Sequence, residues 1–270
     1  VTAEMVRNFA RGGAAINVLA RKIGAELAVV DVGVAADLEA LANVRRMKVR
    51  HGAGNICREP AMTPQECARA MDVGKALARE AEERGANLLI AGEMGIGNTT
   101  PSACLIAWAT GAPPDAIVGR GTGVDETGLA RKREAVRRAL RRAQPSSPLE
   151  ALAQLGGLEI AAIVGFYMEA ARIGVPVLLD GFISAAAALI AEAIQPGTKQ
   201  WMLASHRSAE QGHARALAAL GLAPLFDLGM RLGEGTGAAL AVPIVQAAVA
   251  LHNEMATFAE AGVHGRSDAP

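Results

Sequence analysis

A chain of 270 residues, 51% hydrophobic with 30 glycines, is long enough to bury a large core in one domain, or in one domain plus a small annex. Its 27 Lys+Arg balance 27 Asp+Glu, and a formal charge of zero argues against a general nucleic-acid footprint, which needs a basic excess or stripe. Cys57, Cys67 and Cys104 are odd in number, widely spaced and without a Cys-x-x-Cys pair; this argues against a disulfide framework or zinc ribbon and fits a reducing cytoplasm. His51, His206, His213, His252 and His264 show no His-Glu-x-x-His spacing, so no metal is expected.

In chain order, an amphipathic helix is predicted at 3–22, with no signal peptide and no initiator Met, as if the chain began partway through a longer protein. Strands are predicted at Leu27–Val32, Leu88–Ala91, Ala116–Val118, Val175–Leu179 and Trp201–Ala204, with a weaker one at Leu225–Leu228. Helices are predicted at 63–84, 101–109, 126–143, 157–173, 182–194, 208–220, 236–250 and 252–261. The basic run from Arg131 to Arg142 is expected to be a solvated helix face, and Gln144–Pro148 a surface loop. The Ala-rich segment Phe182–Ile194 is too short to span a membrane, and no apolar stretch of spanning length free of charges is expected.

The strand candidates are short apolar runs without alternation, as expected for strands buried on both faces. The fold expected is α/β: a Rossmann-like parallel sheet flanked by helices, spanning 25–240. The terminal segments 1–24 and 241–264 are helical without an intervening strand and would pack as a small helical subdomain. The tail at 265–270 is expected to be disordered.

Function concentrates in the turns after the strands. Gly92-Glu-Met-Gly-Ile-Gly-Asn-Thr-Thr100 joins an apolar run to a helix start, with Thr99 or Thr100 as N-cap and Pro101 in the first turn. Glycine lets a ligand approach the backbone, and the helix N-terminus favours an anion. Glu93 inside that loop asks for a donor or a positive centre on the same ligand. The turns Gly119-Arg-Gly-Thr-Gly123 and Gly233-Glu-Gly-Thr-Gly237 differ only in the charge at the second position. With Asp180-Gly181 and Ser205-His206 they line one rim at successive strand ends.

No turn supplies the lysine of a Walker P-loop, and Gly95-Ile-Gly-Asn-Thr-Thr lacks the third glycine of a dinucleotide fingerprint. Ser205, His206 and Asp180 are the raw materials of a hydrolase, but no Gly-x-Ser-x-Gly elbow surrounds any serine. Glu93 and Glu234 both qualify as a general base near neutral pH if their pocket is apolar. Glu234 alternatively complements the dipole of the helix starting near 236.

Together with Gly156-Gly-Leu-Glu-Ile-Ala-Ala162, Val177-Leu-Leu-Asp-Gly-Phe-Ile183, Ala204-Ser-His-Arg-Ser-Ala-Glu210, Arg231-Leu-Gly-Glu-Gly-Thr-Gly237 and Met255-Ala-Thr-Phe258, these turns resemble the nicotinate-nucleotide–dimethylbenzimidazole phosphoribosyltransferase family, from the first residue to about Val263. The resemblance implies transfer of phosphoribose from nicotinate mononucleotide to 5,6-dimethylbenzimidazole, giving α-ribazole 5′-phosphate and nicotinate. It implies no cofactor, a cytoplasmic homodimer, and no nucleic-acid or membrane partner. It also implies Glu234 as general base. Glu93, Gly95, Gly97, Asn98, Gly121, Gly123, Lys132, Asp180, Gly181, Ser205 and Leu232 are the implied substrate-binding residues. Family members carry a further upstream segment, so the helical subdomain is expected to be incomplete. A nucleotide-binding module without full activity, or transfer to another azole or phenolic acceptor, are the alternatives.

Overall fold

The structure is a computed structural model describing residues 1–121 and 123–263. Thr122, His264 and the expected tail at 265–270 lie outside them. Two helices replace the single one expected at 3–22: α1 (Thr2–Ala10) and α2 (Ala15–Ile23). The break is at Gly12, whose φ of +75° is costly for other residues, and Gly13, where a Cβ would sit 2.5 Å from the Asn8 Oδ1. Asn17 closes the corner. Its side chain accepts from the Ala14 N–H at 3.1 Å and donates to the Phe9 carbonyl at 3.2 Å.

Next come β1 (Val29–Asp31) and β2 (Val44–Arg46), a parallel pair forming a sheet of its own. α3 (Pro64–Glu83) starts at a capping box in which Thr63 and Glu66 satisfy each other's backbone N–H groups. β3 (Leu89–Ile90) leads into α4 (Thr99–Thr110), and α5 (Pro114–Ile117) precedes α6 (Glu126–Ala143), capped by Asp125. α7 (Pro148–Leu155) and α8 (Leu158–Ile173) run into β4 (Val177–Leu179) and α9 (Phe182–Ile194). A 3₁₀ turn, β5 (Met202–Ala204), α10 (His213–Leu220) and α11 (Thr236–Glu254) complete the order.

The second sheet runs β3-β4-β5, all parallel, with Leu89 opposite Val177 and Leu178 opposite Leu203. β4 is central and buried along its length, between α9 and α11. The architecture is therefore α/β with parallel strands flanked by helices, but as two sheets rather than one. α3 and α8 pack backbone to backbone: a Cβ on Gly74 would lie 1.8 Å from the Ala162 carbonyl, and one on Gly165 2.0 Å from that of Met71.

Several expectations fail locally. Residues 116–118 are not a strand, because Pro113-Pro114 fixes helical φ values and opens the short α5. Leu225–Leu228 contributes one bridge, His206 to Phe226. α10 starts at His213 rather than 208, and α11 continues to Glu254 in place of a separate helix at 252–261. α11 is also long and apolar enough to match a membrane span by length and composition, contrary to expectation. Its first turns are core, however: Ala238 and Ala241 pack on Leu178, and Ala239 packs with Phe9, Ala14 and Ile16 of the N-terminal helices. All three strands of the larger sheet end at one edge, where ligands are met in open α/β sheets.

Candidate active site

The loop after β3 turns at Gly97, with φ +95°, and enters α4 with Asn98 rather than Thr99 or Thr100 as N-cap. Asn98 makes no side-chain cap bond. Its amide instead donates to Glu93 Oε2 at 2.5 Å and to Glu159 Oε1 at 3.2 Å, linking two carboxylates. Gly95 lies alongside: a Cβ there would stand 2.9 Å from Glu159 Oε1. Glu159 is not among the expected site residues, although its Gly156-Gly-Leu-Glu segment carries part of the family resemblance.

Lys132, on α6, reaches the start of α4. Its Nζ donates to Thr99 Oγ1 at 3.0 Å and to the Gly119 carbonyl at 3.1 Å. Burial pushes its pKa down, opposed by Glu210. Gly121 and Gly123 adopt φ of +60° and +115°, and a Cβ on Gly121 would meet the ammonium at 3.0 Å. Lys132 therefore pins the first two glycine turns together. Among the described residues these two bonds leave the third ammonium proton without a partner, because the group carries three donors.

The turn at 233–237 packs directly on the first. The Glu234 N–H donates to the Glu93 carbonyl at 3.2 Å, and a Cβ on Gly92 would fall 2.3 Å from the Glu234 carbonyl oxygen. Glu234 is 8% exposed and has φ +62°, a left-handed conformation costing roughly 1–2 kcal/mol for a residue with a Cβ. Its Oε2 accepts from the Ile16 N–H, at the start of α2, at 3.1 Å. It does not complement α11, whose amides are occupied otherwise. Asp180 Oδ1 accepts from Gly237 (2.8 Å) and Ala238 (3.1 Å), and Oδ2 from Gly235 (3.1 Å).

Burial pushes the Asp180 pKa up, while His206 and those three amides pull it back. Gly181 starts α9, with the His206 ring 3.6 Å from where its Cβ would be. Ser205 is fully buried. Its Oγ donates to the Leu179 carbonyl at 2.5 Å and lies 3.0 Å from His206 Nδ1, so the hydroxyl is held beneath the rim. Burial lowers the His206 pKa, against the pull of Asp180 and Asp227, and its ring stacks on Phe226. Leu232 is 61% exposed, one turn residue away from the Glu234 pocket.

Glu93 thus sits among Glu159, Asp180 and Glu234. Burial and these three carboxylates raise its pKa to about 7, against the bond from Asn98. A carboxyl whose folded pKa lies above its usual value near 4.5 contributes stability that is complete below that value and lost as pH rises through about 7. Glu93→Gln should remove this slope. Melting temperatures at pH 5 and pH 8 should differ less in the variant than in the parent, and an unchanged difference would assign the slope elsewhere.

Glycine turns at the strand ends, a lysine on one side and clustered carboxylates on the other suit a ligand with an anionic and a cationic end. A family model described as phosphoribosyltransferase matches residues 1–263, and the chain is a transferase of that class. A Chromobacterium violaceum protein named nicotinate-nucleotide–dimethylbenzimidazole phosphoribosyltransferase is 62% identical over 269 residues, covering 99% of this chain and 78% of its own length. A Pseudomonas aeruginosa protein of the same name is 51% identical over 268 residues, or 98% of this chain and 76% of its own. The crystal structure of CobT from Thermus thermophilus is similar with a TM-score of 0.93 at 52% identity, over 97% of this chain and 79% of that one. The chain belongs to the nicotinate-nucleotide–dimethylbenzimidazole phosphoribosyltransferase family.

Proposed function

We propose that this chain transfers phosphoribose from nicotinate mononucleotide to 5,6-dimethylbenzimidazole, with Glu234 as general base. The observation that carries the reading is the paired-turn geometry. Glu234 is buried at the strand ends, hydrogen-bonded through its backbone to Glu93 and through its carboxylate to Ile16.

The chemistry follows from charge. The donor's pyridinium leaves as neutral nicotinate ring nitrogen, so it needs neither a strong acid nor a metal. As its bond to C1′ lengthens, positive charge moves onto the ribose. Glu93, Glu159 and Glu234 supply the negative potential that favours this charge in a site of low dielectric. At the other end, Lys132 and the turns at Gly97, Gly121 and Gly123 hold the phosphate. The acceptor nitrogen attacks the face opposite the leaving ring, converting the β-linked donor into an α-linked product. The N–H proton of the benzimidazole passes to the carboxylate of Glu234.

Mixing the chain with both substrates and quantifying α-ribazole 5′-phosphate by chromatography tests the whole reading. Product formation is expected, whereas calorimetric binding of the nucleotide without turnover would mark a nucleotide-binding module instead. Lys132→Gln removes a charge-assisted bond of about 1.5–3 kcal/mol to phosphate. The nucleotide KM should therefore rise by about 10–100-fold with kcat nearly unchanged, and an unaltered KM would remove Lys132 from the phosphate site.

A cytoplasmic homodimer is part of the same reading. Cys57, Cys67 and Cys104 are free thiols. α11 exposes Leu240, Ile244, Val249 and Leu251, and Ile244 and Val249 share a groove with Leu203 and Leu225, an apolar surface that suits a second copy. Sedimentation equilibrium returning only the 27.7 kDa chain mass would overturn the dimer.

A further inference from the structure

We infer that Asp180 is a positioning residue for Glu234 rather than a ligand of the nucleotide; the inference rests on the general-base reading above. Asp180 follows β4 directly, the central and fully buried strand of its sheet, and is 3% exposed. Both of its oxygens are engaged by backbone amides of one segment, Gly235, Gly237 and Ala238, at 2.8–3.1 Å. These amides belong to the first turn of α11 and its N-cap, whose donors have no partner within the helix. The carboxylate therefore anchors the start of α11 to the end of β4.

Glu234 is the residue immediately before the anchored N-cap. It is held at φ +62° between Gly233 and Gly235, which are themselves left-handed at +87° and +85°. Three consecutive left-handed residues do not persist without surrounding restraint. Thr236 closes the turn on itself through N–H and hydroxyl bonds to the Gly233 carbonyl, and the Ile16 N–H holds the Glu234 carboxylate; the Asp180 bonds tie the turn to β4 on one side and the Glu93 backbone contact ties it to the first glycine turn on the other. Beneath the anchor, Gly237 lies so close to His206 that a Cβ would stand 2.0 Å from Nδ1, so the turn cannot settle deeper. Asp180 fixes the turn from the helix side and His206 fixes its depth. Together they place the Glu234 backbone, from which the carboxylate reaches the Ile16 N–H.

A ligand of ribose and a positioner of the base predict different kinetics. Asp180→Asn keeps the side-chain volume but replaces one acceptor oxygen by an N–H₂ facing backbone N–H groups. It should lower kcat by about 10–100-fold, as expected when a catalytic group is displaced by a fraction of an ångström to 1 Å, with calorimetric Kd for nicotinate mononucleotide within threefold of the parent. In a Glu234→Gln background the same substitution should cost less than threefold more, because a residue acting through Glu234 has nothing left to position. Asp180→Ala, which removes both acceptors, should lower kcat at least as far as Asp180→Asn; melting curves identify folded variants, and either one suffices for the cycle.

Full multiplicative loss in the double variant, or a weakened nucleotide Kd with kcat intact, would overturn the positioning role while leaving the general base in place. If Glu234→Gln alone turns over at the parental rate, the base assignment itself fails, and the positioning role with it.

Discussion

Glu234→Gln should lower kcat by about 10²–10⁴-fold, the usual contribution of a positioned general base, while nicotinate mononucleotide binds within a factor of about three. In free energy this is about 3–5 kcal/mol of lost transition-state stabilisation. The substitution is nearly isosteric. Its amide oxygen can still accept from the Ile16 N–H, so the contact between the 233–237 turn and α2 survives. What disappears is a lone pair basic enough to take the azole proton. The competing base is Glu93, placed beside Glu234 by the backbone bond between the two turns and carrying a pKa of about 7, close to a working pH. The two readings separate cleanly. With Glu234 as base, Glu93→Gln should weaken nucleotide binding more than it lowers kcat. Turnover that survives Glu234→Gln and collapses in Glu93→Gln would exchange the roles.

Hydrophobic periodicity made most of the helices legible from sequence, and local capping signals agree with several of their ends. Thr63 with Glu66, Asp125 ahead of α6, and the glycines after α4 and α8 each mark a helix end by a local signal. The misses share a different cause. β2 reads Val-Arg-Arg, with no apolar run, because it pairs only with β1 and is stabilised by Arg45 bridging to Glu80 on α3. α7 begins at Ser147-Pro148 with Glu150 receiving the cap, a valid start signal concealed inside an apparent Pro/Ser loop. Of the site, the glycine turns and both glutamates were visible as motifs. The couplings were not, since Glu159 reaches Asn98 from 61 residues away, Asp180 reaches α11 from 55–58, and Ile16 reaches Glu234 from 218. No local spacing encodes partners brought together only by the sheet and by α2 packing on α11.

Gly92→Ala should be nearly as damaging as losing the base, though it adds one methyl group to a residue with no chemistry. Gly92 is not in the left-handed region, so alanine is allowed by its own backbone. The obstacle is across the gap: the new Cβ would stand 2.3 Å from the Glu234 carbonyl oxygen, 2.5 Å from its carbonyl carbon and 2.7 Å from the Gly235 nitrogen. All three are backbone atoms, which cannot rotate aside as a side chain would. The turn must move outward by about 1 Å to reach ordinary contact, and the Asp180 bonds to Gly235, Gly237 and Ala238 resist that motion. A displacement of this size at a catalytic group costs on the order of 10²-fold in rate, and the overpacking should cost about 1–3 kcal/mol of stability. Gly221→Ala is the control. Its φ of +73° is strained for alanine, but no described residue lies within 4 Å of the added Cβ, so stability should fall by about 1–2 kcal/mol with kcat untouched. Measuring kcat and denaturant midpoints for both variants separates the two effects. A Gly92→Ala protein that loses stability yet turns over normally would show that the two glycine turns need not touch for catalysis.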